Sequence, residues 1–99
     1  MKIELTSNQR RALRASAHSL NPVVVIGQNG LSESVMREIA ISLDAHELIK
    51  VRAVSDERET RNTWLETICD QLDAAPVQHL GKLLIIYRPH PEKPKVKLA

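Results

Sequence analysis

The sequence predicts one α/β domain whose elements run helix, strand, helix, strand, helix, strand, strand. Three observations carry that prediction. Three separated stretches repeat apolar residues about every fourth position, the period of a helix with one buried face. Short β-branched runs lie between them. The closing stretch VQHLGKLLIIYR holds two apolar runs about a Gly81-Lys82 turn, the pattern of a hairpin. Strands separated by helices imply crossovers between parallel strands, and the hairpin adds an antiparallel one. The result is a small mixed sheet with helices on at least one face.

Each element follows from local chemistry. The first helix is predicted over Ser7–Ser19, with Thr6 or Ser7 as cap and Gln9, Leu13, Ala17 and Leu20 along one stripe. Asn21-Pro22 stops it. Val23 to Ile26 form a strand apolar on both faces, hence expected inside the sheet. Ser32 caps a second helix reaching about Ala45, with Leu31, Val35, Ile39 and Leu43 as its core stripe. HELIKVRAV alternates: Ile49, Val51 and Ala53 point one way, Leu48, Lys50 and Arg52 the other, so one sheet face is wet and positive. A third helix covers SDERETRNTWLETICDQLDAA, capped by Ser55 or Asp56 and packed through Trp64, Ile68 and Leu72, with Leu65 and Cys69 beside them. Pro76 lies past its end. Residues 1–90 read as one domain and residues 91–99 as a basic, proline-containing arm.

Bulk properties bound the function. A chain of 99 residues buries roughly two-thirds of its unfolded surface, enough for one thin core. Aromatic content is 2%, so that core is aliphatic. One cysteine, Cys69, fits a reducing cytoplasm, and MKIELTSNQR lacks the apolar stretch of a secretion signal. The runs VVVI and LLIIY are too short to cross a bilayer. A cytoplasmic protein without a membrane partner is expected.

The stretch VVVIGQNGLSESV carries the chemistry. Gly27-Gln28-Asn29-Gly30 joins a strand to a helix start and holds two of the three glycines. Glycine removes the Cβ that would hold a ligand off, and the helix start offers N–H donors and a positive dipole end. A phosphodiester backbone can approach closely there, as at KH-type loops. On spacing alone, a structural turn is the commoner explanation. The surroundings favour an anion: Arg10, Arg11 and Arg14 cluster on the first helix, which has no acid between Ser7 and Ser19. Lys50 and Arg52 line the wet strand face, and Arg88 ends the last strand. Acids collect on the second and third helices although the net charge is only +2. Segregated charge of this kind is the footprint of a polyanion site.

Together, the basic opening helix, the VVVIGQNGLS loop, AHELIKV and the LGKLLIIYR ending resemble the CRM domain, named for chloroplast RNA splicing and ribosome maturation. The nearest likeness is to its small stand-alone bacterial members, the YhbY type. The resemblance runs to about Pro89. It implies a two-layer KH-like fold akin to the C-terminal domain of bacterial translation initiation factor three, with a four-stranded mixed sheet and one antiparallel strand. It implies RNA binding, with ribosomal RNA or a large-subunit precursor particle as partner during ribosome assembly. The implied contacts are Gly27, Gln28, Asn29, Gly30, Arg10, Arg11, Arg14, Lys50 and Arg52. Family loops often hold a basic residue between the glycines; this one holds Gln28-Asn29.

An enzyme is not expected. His18, His46, His79 and His90 have no metal-ligand spacing with one another or with Cys69, so no metal or cofactor is expected. No phosphate-binding Walker string or nucleophile elbow is present. Scarce aromatics argue against readout by base stacking and for backbone and shape readout. The alternative is a protein-interaction adapter of ribosome assembly, in which an exposed Ile41 and the terminal arm make the contacts; duplex DNA binding is a third reading. No small-molecule substrate is expected, and the chain is expected to act as a monomer.

Overall fold

The computed structural model describes residues 4–91. Lys93, Lys95 and Lys97 of the basic arm lie outside them. Seven elements occur in the predicted order: α1 (Ser7–Ala17), β1 (Val24–Ile26), α2 (Glu33–His46), β2 (Leu48–Ala53), α3 (Arg58–Leu72), β3 (Ala75–Leu80) and β4 (Leu83–Tyr87). They build one four-stranded sheet in the order β1-β2-β4-β3. β1 runs parallel to β2, and β4 runs antiparallel to both its neighbours, so β4 is the single reversed strand.

Strand alternation divides the core in two. Ile49, Val51 and Ala53 of β2 join Val24, Ile26, Leu84 and Ile86 beneath α2 and α3, where Ile39, Leu43, Leu65, Ile68 and Cys69 close the cluster. Leu48, Val77, Ile85 and Tyr87 point to the other face and are covered by Leu13 and Ala17 of α1. The α2–α3 layer and the sheet form the expected pair of layers. α1 adds partial cover to the opposite face, where it contacts β2, β3 and β4. Each fully buried Leu or Ile in such a core contributes about 1.5–3 kcal/mol.

Caps set where the helices begin. Thr6 and Gln9 form a reciprocal capping box: the Gln9 N–H donates to Thr6 Oγ1 (3.1 Å) and the Thr6 N–H to Gln9 Oε1 (3.0 Å). Ser32 Oγ accepts the Val35 N–H (3.2 Å) and starts α2. The third helix differs from expectation. Its N-cap is Glu57, with no side-chain cap bond, because Ser55 Oγ accepts the Glu57 N–H before the helix begins and Asp56 pairs with Lys82 at 3.0 Å.

β1 also differs: it is an edge strand, not an internal one. Its β-branched run suggested burial on both faces. Val24 and Ile26 are indeed buried under α2, but α1 stops short of β1 and leaves Val23 and Val25 about half exposed. Periodicity reports the faces a strand could bury, not the neighbours it acquires.

Candidate nucleic-acid interface

The four-residue loop Gly27–Gly30 follows β1 directly and leads to the capped start of α2. It is a closed turn, with the Gly30 N–H donating to the Gly27 carbonyl (3.1 Å) and the Ser32 N–H to the Gly30 carbonyl (3.0 Å). Gln28 and Asn29 are exposed at its tip. The two glycines are not equivalent. Gly30 has φ +66°, a left-handed conformation that a Cβ disfavours, and the Trp64 ring stands 3.6 Å from where that Cβ would be. Gly27 has no positive φ, and a Cβ there would meet nothing within 4 Å. Only Gly30 is demanded by the fold; the missing side chain of Gly27 leaves open space on the outer surface.

The expected basic residues fall into three groups. Lys50 and Arg52 lie on the α1 side of β2, in alternation with the buried Val51. Lys50 reaches the end of α1, where it shares a shallow cleft with Arg14 and His18. Arg52 stands beside Val25 in the strand register, one residue before the Ile26–Ala53 pair at which the glycine loop begins. Arg14, Lys50 and Arg52 therefore lie on the α1 side of the sheet, and the loop begins just past the Val25–Arg52 pair, with Gly30 turned toward Trp64 of α3. Arg11 is exposed one turn before Arg14. Arg10 is drawn to the far border, where its Nε donates to the Pro76 carbonyl (3.2 Å) and ties α1 to β3.

Arg88 belongs to the fold. One guanidinium nitrogen donates to the Leu72 carbonyl (3.1 Å); another donates to the Ala40 carbonyl (3.3 Å) and pairs with Asp44 (2.5 Å), linking α2 to the end of α3. Arg61 is likewise internal, buried with its guanidinium on the Ser55 carbonyl (2.6 Å) and its Nε donating to His79 Nε2 (3.2 Å). Burial, then the charges of Arg58 and Arg61, hold the His79 pKa below its ordinary value. Asp56 is held below the usual carboxylate range by the Lys82 ammonium beside it.

Two participants were missed by sequence reasoning. His18 joins Arg14 and Lys50, and its i+4 spacing from Arg14 was the available signal. Glu47 is buried with φ +64°; its carbonyl accepts the Arg88 N–H (2.8 Å) and its carboxylate the His90 N–H (2.5 Å), fixing the departure of the chain after β4. Nothing in the sequence marks a glutamate for a left-handed position. Burial, then the nearby Glu47, raises the Tyr87 pKa.

The electrostatics are two-sided. α1 carries three arginines and no acid. Glu33, Glu38 and Asp44 of α2, and Glu59, Glu66 and Asp70 of α3, belong to the helices packed on the other face. Among the described residues no helix is long and apolar enough to cross a membrane.

Comparison with known proteins agrees with this architecture. The model of the CRS1 / YhbY (CRM) domain matches residues 5–88. A Haemophilus influenzae protein named "RNA-binding protein" is 44% identical over 94 residues, covering 95% of this chain and 94% of its own. A Pseudomonas aeruginosa protein named "Probable RNA-binding protein" is 38% identical over 95 residues, covering 96% and 90% respectively. The solution structure of a hypothetical Staphylococcus aureus protein superposes with a TM-score of 0.85 at 31% identity, covering 97% of this chain and 100% of that one. A small α/β sheet with a glycine corner at its second helix, matched over nearly its whole length, identifies the chain as a member of the CRS1 / YhbY (CRM) domain family.

Proposed function

We propose that this protein binds RNA without catalysis, and that its partner is ribosomal RNA or a precursor particle of the large ribosomal subunit during assembly. The observation that supports the reading is the grouping of charge: Arg14, Lys50 and Arg52 lie on the α1 side of the sheet, the Gly27–Gly30 corner begins just past Arg52 in the register, and Glu33, Glu38, Glu59 and Glu66 ride on the helices behind. Relatives named for RNA binding support it. Guanidinium and ammonium groups neutralise phosphates, the side-chain-free Gly27 admits the backbone, and Gln28 and Asn29 supply neutral hydrogen bonds at the loop tip. Arg10 contributes less than Arg11 and Arg14, because its Nε is engaged by Pro76.

The test is filter binding to a structured RNA across a salt series. About four to six phosphate contacts give a slope of log affinity against log salt of roughly −3 to −5. Charge reversal of Arg14, Lys50 and Arg52 to Glu should abolish binding. An affinity indifferent to salt, or unchanged by the reversal, would refute the proposal. Crosslinking in cells followed by sequencing then identifies the RNA. One observation favours a second reading, a protein-contact role: Ile41 is 60% exposed on α2, away from the basic face. Ribonuclease treatment of an extract separates the two, since an association through Ile41 persists and one through RNA is lost.

A further inference from the structure

A cleft of about 600 Å³ opens beside the basic face, between the end of α1, the start of β1 and the end of α2. Its size is that of a small-ligand pocket. Leu20, Val23, Leu48 and Ile49 give it aliphatic walls, and Val23 is 48% exposed within it. Ser16, Asn21, His46 and Lys50 supply its polar groups, and no carboxylate lines it among the described residues. Lys50 belongs both to this cleft and to the shallow one shared with Arg14 and His18. A chain running over the basic face therefore passes the mouth of an apolar slot.

We infer that this cleft receives one unpaired nucleobase of the bound RNA, turned out of its helix, while Lys50 holds a flanking phosphate. The inference rests on the RNA-binding reading above and extends it from backbone grip to selection of a structural feature. Charge complementarity decides the occupant: the cationic side chains of Lys50 and Arg14 suit a polyanion, and no carboxylate among the described lining residues repels it. The Asn21 amide offers a donor and an acceptor, the complement of a base edge. The protein's only tryptophan and tyrosine pack elsewhere, Trp64 against Gly30 and Tyr87 in the core, so the base is gripped between aliphatic side chains. This refines the expectation of backbone and shape readout: a single base is engaged, and without aromatic stacking.

The probes are two RNA hairpins identical except for a single-nucleotide bulge, with 2-aminopurine at the bulge for a fluorescence readout. The full chain should prefer the bulged hairpin by roughly tenfold, with a change in 2-aminopurine emission on binding. Ser16→Phe, at an exposed α1 position, fills the slot and should erase the preference while leaving the salt slope intact. Val23→Phe, at an exposed position just before β1, should do the same by bulk. Circular dichroism checks that both variants fold. Equal binding of the two hairpins by the wild type, with a normal salt slope, overturns the inference but leaves the RNA grip standing; the cleft then serves another occupant, a protein segment included. A preference that survives both substitutions overturns it equally. Loss of all RNA binding by the wild type removes the inference together with the reading beneath it.

Discussion

Gly27 and Gly30 look alike in the sequence and do different work. Gly30→Ala forces a Cβ into a left-handed conformation beside Trp64 and should cost about 1–2 kcal/mol of stability, read as a lower melting temperature. Gly27→Leu enters open space and should leave the melting temperature unchanged while weakening RNA binding at least several-fold. An unchanged affinity in that variant would show that the ligand does not approach the corner. Trp64 stands under Gly30, so its fluorescence is a natural monitor of the loop in both experiments. Both glycines were legible as a motif. Their division of labour was not, because backbone dihedrals and the position of Trp64 follow from tertiary packing. Glu47 is the sharper case: a left-handed, buried glutamate is strained by about 1–3 kcal/mol, and its bonds to Arg88 and His90 offset that strain.

At the scale of elements, α1 is held by little. Leu13 and Ala17 are its only fully buried side chains among the described residues, so Leu13→Ala should cost about 2–5 kcal/mol and loosen α1 from the sheet, giving faster hydrogen exchange there than in α2 or α3. Because Arg14 rides on α1, RNA affinity should fall in the same variant. Arg88→Ala removes the donors to Leu72, Ala40 and Asp44 and should cost about 1–3 kcal/mol, with RNA affinity unchanged wherever the variant remains folded. Helix stripes and capping residues made α1 and α2 readable, since those signals are local. The edge position of β1 and the internal duty of Arg88 were unreadable, since each depends on which neighbour a distant segment becomes. The open face of β2 was legible in the alternation of Lys50 and Arg52 with Ile49, Val51 and Ala53.

For the whole molecule, the burial of His79 beside Arg58 and Arg61 predicts a pH dependence. The folded state depresses the His79 pKa below 6.5 and uses its neutral Nε2 as an acceptor. The unfolded chain therefore takes up that proton first as the pH falls. The stabilisation is complete above pH 6.5 and is lost progressively below it. Urea titrations between pH 7.5 and about 5 should show decreasing stability, and His79→Gln, which retains an acceptor for Arg61, should flatten the His79 share of the slope. A slope identical in the two proteins would exclude a contribution from His79.

The sheet has two borders, and a proline stands at each. Pro22 precedes the three-residue β1, and Pro76 sits in β3 where the register shifts between Pro76 and Gln78. Proline has no N–H to offer an incoming strand, and three residues make a poor template for one. Exposed valines on a bare sheet margin would ordinarily invite strands to stack into fibrils. Here the bordering strand is three residues long and follows a proline, so it leaves an incoming strand almost no ladder to climb, and the uncovered aliphatic margin should stay out of fibrils.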